Sequence, residues 1–190
     1  MKKSLGAKTI VYPTPVLIIG TYNKSGIPNA MAVAWGGICC SNPPCIAISL
    51  RKATCTYGNI IENEAFTVNI PSESHVREAD YFGTVSGKNE NKFDVSGLTP
   101  VKSGIINAPY INEFPMVLEC KLLHTFEIGL HTQFIGKILD LKVDEDVIDK
   151  NQKPDIKKVK PILYAPGNTA YFKIGEFIAN AFSVGKDIGR

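Results

Sequence analysis

The sequence lacks the short motifs that define the common nucleotide-binding and hydrolytic folds. It has no G-x-G-x-x-G turn and no G-x-x-x-x-G-K-[ST] loop, so neither Rossmann-type nor P-loop nucleotide binding is expected. It also has no G-x-S-x-G elbow and no H-E-x-x-H pair. Only three histidines are available for catalytic triads or metal sites. Hydrolase chemistry is therefore a weak interpretation of this chain.

Several partners and compartments are also disfavoured. The net charge is only +3, and the one dense basic run, 150–160, is diluted by Asp155, so we expect no nucleic-acid partner. The chain contains no apolar run of the ~18 residues that a membrane helix needs. The lysines near the start are followed by Pro13 and Pro15 rather than by the apolar core of a signal peptide. A cytoplasmic protein without membrane contact is the expectation.

The five cysteines form neither a disulfide framework nor a metal motif. Their number is odd, and the sequence has no C-x-x-C and no paired Cys/His set at zinc spacing, so we expect no metal site. The adjacent pair Cys39 and Cys40 should point to opposite faces of a strand, where one thiol could approach a ligand. Reduced thiols in the core of a cytoplasmic protein are the simplest interpretation.

The length of 190 residues and the 44% apolar content suit one domain over 1–190. Short β-branched apolar runs predict strands at 16–22, 29–35, 45–50, 65–70, 116–126, 132–143, 161–164 and 170–173. Helices are few: one capped by Thr54 or Thr56 and running to about Glu64, one from Ser72 through Phe82 with Gly83 at its C-cap, and a weak one at 175–182. We expect a loop at 84–97. The fold class is mainly β, a closed or nearly closed β-barrel with a few short helices.

Two neighbouring stretches could bind a ligand. The strand 29–35 carries small side chains at alternate positions, so a flat aromatic ligand could approach its backbone, with Trp35 covering a ring face. The alternative is an ordinary core strand. The stretch 49–56 places Arg51, Lys52 and two threonines just before a helix N-terminus, which is typical of a monophosphate site. The alternative is a solvated turn with a threonine cap.

These stretches resemble the signature of flavin reductase-like proteins. The run from Asn29 through Asn42-Pro43-Pro44 to Arg51 is similar to their N-x-M-T-x-S-W strand, P-P loop and strand with a basic end. Residues 64–71, E-A-F-T-V-N-I-P, resemble the family's g-e-F-t-V-N-i-P strand. Residues 86–93 resemble its S-G…K-F loop, and 129–138 its G-D-H-x-x-x-x-G-x-V strand. The segments 161–164 and 182–186 are similar to the flavoredoxin-like branch.

The resemblance implies an FMN-binding split barrel, a homodimer, and FMN close to the subunit interface. It implies a cytoplasmic FMN-dependent oxidoreductase that transfers electrons from NADH, NADPH or a protein donor through the flavin to a small-molecule or protein acceptor. The matching positions imply contacts to the isoalloxazine and ribityl chain from Asn29, Met31, Ala32, Val33, Ala34, Trp35, Ser49, Leu50 and Arg51. They imply phosphate contacts from Arg51, Thr54 and Thr56, loop contacts from Ser86 and Lys92, and a catalytic His131 near the nicotinamide or the flavin edge.

Two departures from the family pattern qualify this expectation. Ala32 and Ala34 stand where the family carries hydroxyl residues, which leaves backbone N–H groups as the donors there. Leu130 stands where the family carries Asp before His131, which favours a flavoredoxin-like carrier over a dedicated NAD(P)H reductase. Two alternatives stay open: an electron-transfer module without NAD(P)H reductase activity, and a barrel that has lost its flavin and acts as a binding protein.

Overall fold

The computed structural model describes residues 1–186 and 188, and its architecture is dominated by β-strands. The strands are β1 (Thr14–Pro15), β2 (Leu17–Tyr22), β3 (Pro28–Val33), β4 (Gly36–Ser41), β5 (Pro44–Arg51), β6 (Ala65–Ile70), β7 (Pro100–Lys102), β8 (Pro109–Ile111), β9 (Met116–Ile128), β10 (His131–Val143), β11 (Leu163–Ala165) and β12 (Ala170–Phe172). The helices are α1 (Cys55–Asn63), α2 (Val76–Thr84), α3 (Lys92–Ser96) and α4 (Ile156–Val159), with 3₁₀ turns at Glu73–His75 and Glu145–Val147. None of the helices in this part of the chain is long and apolar enough to span a membrane.

Seven of the strands form one antiparallel sheet that closes on itself. Its strand order is β3-β2-β6-β9-β10-β5-β4. The two outer strands, β3 and β4, follow one another in the chain and are separated only by Ala34 and Trp35. The Ser49 N–H of β5 donates to the Trp35 carbonyl at 2.9 Å and ties this junction to the far side of the sheet. The barrel predicted from the strand-rich pattern is therefore confirmed.

Period-2 alternation in β2 shows how the sequence fills the two sides of the barrel wall. Leu17 and Ile19 point inward, and Val16 and Ile18 point outward. The interior contains Leu17, Ile19, Val33, Ile46, Ile48, Leu50, Ile60, Phe66, Val68, Leu118, Cys120 and Phe134. A second core lies outside the wall and contains Val16, Ile18, Ala30, Ala79, Phe82, Phe93, Leu98, Ile111, Phe114 and Ile162. Each fully buried Leu, Ile or Phe contributes about 1.5–3 kcal/mol to folding.

The second core fixes α2 and α3 against the outer face of β3. Phe82 of α2 and Phe93 of α3 pack with their ring centroids 5.7 Å apart. Ala30 provides the matching small surface on β3. This packing sets the C-terminal end of α2 beside β3, and the candidate site lies along that contact.

The predicted strands are present, most of them with shifted ends, but several predicted details are wrong. Gly83 is not a helix C-cap: α2 includes it and ends at Thr84 with Val85 in extended conformation. A Cβ on Gly83 would lie 3.2 Å from the Cβ of Ala32, so the glycine serves close packing rather than a left-handed turn. The 84–97 segment is not wholly a loop, because Asn91 caps α3 by accepting a hydrogen bond from the Phe93 N–H.

Two further differences concern β4 and the chain end. Residues 36–41 form a strand that the short apolar pattern did not predict, because β4 is an exposed edge with two glycines. Residues 175–182 do not form the predicted weak helix, because they are irregular up to Asn180 and then enter a turn. Most of this segment is exposed, so no packed apolar face stabilises a helix there.

Candidate functional site

Two cavities adjoin along β3 and the end of α2. The first, called here the basic cavity, has a volume of about 250 Å³. It is lined by Asn29, Met31, Arg51, Ala53, Thr54, Cys55, Thr56, Gly83, Thr84, Val85, Ser86, Gly87 and Lys92. The second, the small-residue cavity, has a volume of about 300 Å³ and is lined by Val16, Ala32, Val33, Ala34, Asp80, Gly83, Thr84, Tyr164, Thr169 and Tyr171. Because Gly83 and Thr84 line both, the two form one elongated groove.

The N-terminus of α1 opens into the basic cavity. Thr54 is the N-cap: its Oγ1 accepts from the Tyr57 N–H at 3.3 Å and donates to the Arg51 carbonyl at 2.9 Å. The N–H groups of Cys55 and Thr56 lie in the first turn, where α-helical geometry offers them no acceptor within the helix. That turn contains no acidic residue. Free N–H groups and the positive end of the helix dipole make this a place where an anion binds favourably.

Asn29 contributes a buried acceptor with no partner. Its side chain is only 6% exposed, and its Nδ2 donates to Thr56 Oγ1 at 2.9 Å. Within the described residues its Oδ1 has no hydrogen-bond partner. Gly87 approaches this oxygen so closely that a Cβ at position 87 would lie 1.9 Å from it. A buried amide oxygen without a donor is costly, about 1–3 kcal/mol, and a ligand hydroxyl or N–H would relieve that cost.

Lys92 places a buried cation against the cavity. It is the first residue of α3 and only 2% exposed. Its Nζ donates to the carbonyls of Ala30 and Phe82 at 2.8 and 2.9 Å, and its third N–H is left for a ligand. Burial lowers the pKa of Lys92 to about 8, while the nearby Cys55 and Glu90 act in the opposite direction.

The hydrogen bond from Lys92 Nζ to the Ala30 carbonyl also shows which edge of β3 is not paired with β2. In an antiparallel pair, the N–H and C=O of one residue point to the same side, and successive residues alternate. The Ala30 carbonyl is bonded by Lys92, so it points away from β2, with which β3 pairs. By the same alternation the N–H of Ala32 lies on this unpaired edge, and Ala34 follows just past the end of β3. This edge faces the small-residue cavity that both residues line.

The loop after α2 closes the rim of the basic cavity. The Ser86 carbonyl accepts from the Asn89 N–H at 3.0 Å, so 86–89 forms a tight turn. Lys88 Nζ donates to the Ala53 carbonyl at 2.9 Å, which ties this turn to the residue before the α1 N-cap. The rim therefore carries a second ammonium group close to the first turn of α1.

The small-residue cavity has an aromatic wall. Tyr171 donates from its hydroxyl to Asp80 Oδ1 at 2.8 Å, and its ring packs against Tyr164 with centroids 5.7 Å apart. Burial, and then the hydrogen bond to Asp80, raise the pKa of Tyr171. Ala32, Ala34 and Gly83 on the other side carry little or no side chain, so a flat ring could lie close to the β3 backbone.

The structure brings ten of the fourteen predicted site residues into these two cavities. The basic cavity contains Asn29, Met31, Arg51, Thr54, Thr56, Ser86 and Lys92, and the small-residue cavity contains Ala32, Val33 and Ala34. Leu50 and Val33 also belong to the interior core, so their side chains mainly support the barrel. Lys92 lies at the start of a helix rather than in a loop.

The four remaining predicted residues lie beside the groove without lining either cavity. Trp35 is 39% exposed and follows β3, and Ser49 is bonded to it through the backbone. His131 is half-buried and lies directly opposite Arg51 in the β10–β5 pairing. His131 is therefore near the guanidinium end of the groove, at the start of β10.

Sequence reasoning missed several residues of the groove. Cys55 and Gly87 line the basic cavity, and Asp80 and Tyr171 line the small-residue cavity. The position of Cys55 after the Thr54 cap was a usable signal, since a first-turn residue borders any anion at the helix end. No local signal could place Asp80 against Tyr171, because they are 91 positions apart. In the described part of the chain, no group of three or more His, Cys, Asp or Glu is arranged to hold a metal.

Comparison with known proteins agrees with this arrangement. The family model of the flavin reductase like domain matches residues 9–173. The chain is 56% identical to the flavoredoxin of Desulfovibrio vulgaris (Miyazaki F), with a TM-score of 0.94 and coverage of 98% of this chain and 100% of that one. It is 31% identical to a flavoredoxin from Methanosarcina acetivorans, with a TM-score of 0.92 and 98% coverage of both chains.

A more distant structure supports the architecture alone. A candidate flavin reductase with a split barrel domain from Shewanella frigidimarina is 22% identical, with a TM-score of 0.82 and coverage of 90% of this chain and 87% of that one. The closed sheet described above is therefore a split barrel with a few short helices, as the resemblance implied.

Proposed function

The chain belongs to the flavin reductase-like family, and on that basis we propose that it is a homodimeric FMN protein of the flavoredoxin-like branch. It passes electrons from NADH, NADPH or a protein donor through bound FMN to an acceptor. Its FMN occupies the groove formed by the basic cavity and the small-residue cavity. The five cysteines are all free, which supports a reducing compartment and hence the cytoplasm.

The observation that carries this proposal is the donor set of the basic cavity. Arg51, Lys92 and the first turn of α1 converge on about 250 Å³ whose lining residues, as described, include no carboxylate. A phosphate monoester carries close to two negative charges at neutral pH and offers acceptor oxygens only. Guanidinium, ammonium and helix N–H donors suit such a group. The unpartnered Asn29 Oδ1 suits a ribityl hydroxyl, which can donate to it.

The small-residue cavity suits the flavin ring. Ala32, Ala34 and Gly83 leave its floor without bulky side chains, and Tyr164 with Tyr171 forms its opposite wall. The N–H groups of Ala32 and Ala34 would donate to the ring edge that becomes anionic on reduction. Bound FMN supplies hydride and single-electron chemistry, while the chain orients the ring, excludes water and stabilises that charge.

His131 would act at the guanidinium end of the groove. It faces Arg51 across the β10–β5 pair, and an imidazole there can donate to an anionic substrate or nicotinamide dinucleotide that approaches this end of the groove. In this proposal Arg51 holds the phosphate and His131 serves the donor or acceptor.

An electron carrier without NAD(P)H reductase activity is the second candidate. The β9–β10 hairpin tip, next to His131, exposes the large apolar side chains of Ile128 and Leu130, with Leu130 65% exposed. An apolar tip favours contact with a protein donor over contact with a charged nicotinamide dinucleotide. Anaerobic titration with NADH and with NADPH, followed at the flavin absorption band, separates the two. Bleaching by either supports a reductase, and a band that neither bleaches supports the carrier.

FMN binding itself is tested on the protein purified without added flavin. We expect either a yellow protein or a colourless protein that binds added FMN in an amount proportional to the protein concentration. A protein that is colourless and fails to bind FMN by calorimetry would favour the flavin-free binding protein instead.

The homodimer is supported by apolar surface near the groove. Trp35, just before β4, and Ile38, within it, are both exposed. Light scattering on the eluted protein should give twice the mass of the 20.7 kDa chain. The mass of a single chain would remove the dimer from the proposal while leaving FMN binding to be judged by titration.

A further inference from the structure

The β4–β5 hairpin brings two cysteines directly opposite each other. Its strands are joined by only two residues, Asn42 and Pro43, with Ser41 paired to Pro44 and Cys40 paired to Cys45. Directly opposite residues of an antiparallel pair have Cα atoms about 4.5 Å apart in a non-hydrogen-bonded pair and about 5.5 Å apart in a hydrogen-bonded pair. Disulfides form between cysteines whose Cα atoms lie roughly 4.4–6.8 Å apart. The register therefore suits a bond between Cys40 and Cys45 with little backbone movement.

A third thiol lies beside this pair. The register shifts between Ile38 and Cys40, so Cys39 is the extra residue of a β-bulge. The pKa of Cys39 is raised, first by burial and then by the proximity of Cys45 and Cys40. The three thiols thus share one locality at the hairpin end. Bulges often re-aim a side chain, and this one brings Cys39 next to the facing pair.

The three thiols differ in accessibility. Cys45 is only 2% exposed, Cys40 is half-buried and Cys39 is exposed. Within the facing pair Cys40 is the more accessible thiol, so Cys40 would attack an external disulfide first and the buried Cys45 would then displace the external thiol still attached to it. Since no group of three metal-ligating side chains is arranged for a metal among the described residues, thiol exchange suits the cluster better than metal binding.

We propose that Cys40 and Cys45 are a redox-active thiol pair that closes to a disulfide by exchange with a small-molecule disulfide such as oxidised glutathione. The Cys40 thiolate attacks one sulfur of the external disulfide, and one thiol leaves. The Cys45 thiolate then attacks the Cys40 sulfur, and the second thiol leaves. Two protein thiols are oxidised, one external disulfide is reduced to two thiols, and the two protons pass to the leaving groups. The chain would thus carry a two-electron centre besides any flavin, so this inference does not rest on FMN binding.

The native protein, as purified, is incubated with oxidised glutathione, and its free thiols are then counted after denaturation. The chain has five cysteines, and we expect two fewer free thiols and a mass lower by two hydrogen atoms. Peptide mapping should show Cys40 linked to Cys45. All five thiols remaining free, or a glutathione that stays attached to Cys39 with no internal bond, would overturn the proposal. So would a link from Cys39 to Cys45.

Single substitutions sharpen the assignment. Cys39→Ser should still form the internal bond, whereas Cys40→Ser should not and should retain attached glutathione at Cys45 or Cys39. Cys40 is half-buried, so its serine variant tests the pair even where Cys45→Ser at the buried position fails to fold. Cys55→Ser, in α1, is the matched control and should lose two thiols as the parent chain does. Loss of the internal bond in Cys39→Ser but not in Cys40→Ser would refute the pairing.

Discussion

The side chain of Asn29 and the backbone of Gly87 meet so closely that residue 87 has no room for a side chain. An added Cβ would lie 1.9 Å from Asn29 Oδ1. Asn29 cannot easily move aside, because its Nδ2 is bonded to Thr56 Oγ1 at 2.9 Å. Through this contact β3, the first turn of α1 and the loop after α2 hold one another in place at the rim of the basic cavity.

Gly87→Ala should therefore disturb both folding and binding. We expect the free energy of unfolding to fall by about 1–3 kcal/mol, because either the loop or the Asn29–Thr56 bond has to give way. FMN affinity should fall as well, measured by calorimetry alongside denaturant unfolding. Gly58→Ala in α1 is the control, since a Cβ there meets nothing within 4 Å and alanine favours a helix by about 0.5–1 kcal/mol. Equal stability and affinity in Gly87→Ala and the parent chain would contradict the packing argument.

Arg51→Ala should weaken FMN much more than riboflavin. Removing a charged donor from a phosphate costs about 1.5–3 kcal/mol, which is roughly a 10- to 100-fold rise in Kd. Riboflavin has no phosphate and should bind both proteins alike. Lys52→Ala removes the same charge from the next residue, whose ammonium pairs with Glu127 instead, and should leave FMN affinity almost unchanged. An unchanged Kd for FMN in Arg51→Ala would remove Arg51 from the phosphate site.

Ala32→Leu should act at the other end of the groove. The larger side chain would occupy the small-residue cavity, so FMN and riboflavin should both lose affinity, about tenfold or more, and by the same factor. Equal loss for both ligands separates a ring contact from a phosphate contact. A selective loss of FMN would place the phosphate, rather than the ring, against Ala32.

The buried ammonium of Lys92 predicts two opposite responses to alkaline pH. Its pKa is about 8 in the folded chain and about 10.4 in an unfolded chain. Between these values the unfolded state binds more protons at this site, so the free energy of unfolding should rise with pH by about 3 kcal/mol. FMN affinity should fall over the same range, because the amine no longer neutralises phosphate charge.

Lys92→Met isolates these effects from other groups that titrate at alkaline pH. The variant should show neither the rise in stability nor the Lys92-dependent fall in affinity, measured by unfolding and FMN titration from pH 7 to pH 10.5. Parallel pH profiles in the variant and the parent chain would show that Lys92 does not titrate in this window.

Much of the barrel was predictable because its signals are local. The run 65–70 is a strand in the structure with the predicted ends, and Thr54 caps α1 as predicted. Period-2 alternation and side-chain capping are decided by neighbours a few residues apart, so the sequence carries them. The expectation of an FMN ligand came from the resemblance of residues 29–51 to the family signature.

Other features depended on neighbours far along the chain. Lys92 is predicted as a cofactor contact from a loop, but it begins α3, and its ammonium is buried against the Ala30 and Phe82 carbonyls. Gly83 is predicted to end the helix at its C-cap. It lies inside α2 instead, where the absence of a side chain lets Ala32 pack closely against it. Leu50 is a predicted ligand contact whose side chain belongs to the barrel interior, so a contact with the ligand would come from its backbone.

The sequence by itself determined that this is a mainly β protein with a capped helix start after Arg51, because strand alternation and capping are encoded within a few residues. Only the tertiary structure decided that Arg51, Asn29 and Lys92 surround one cavity and that Cys40 faces Cys45. Those relations depend on barrel closure and strand register, which are set by the packing of the two cores rather than by any local pattern.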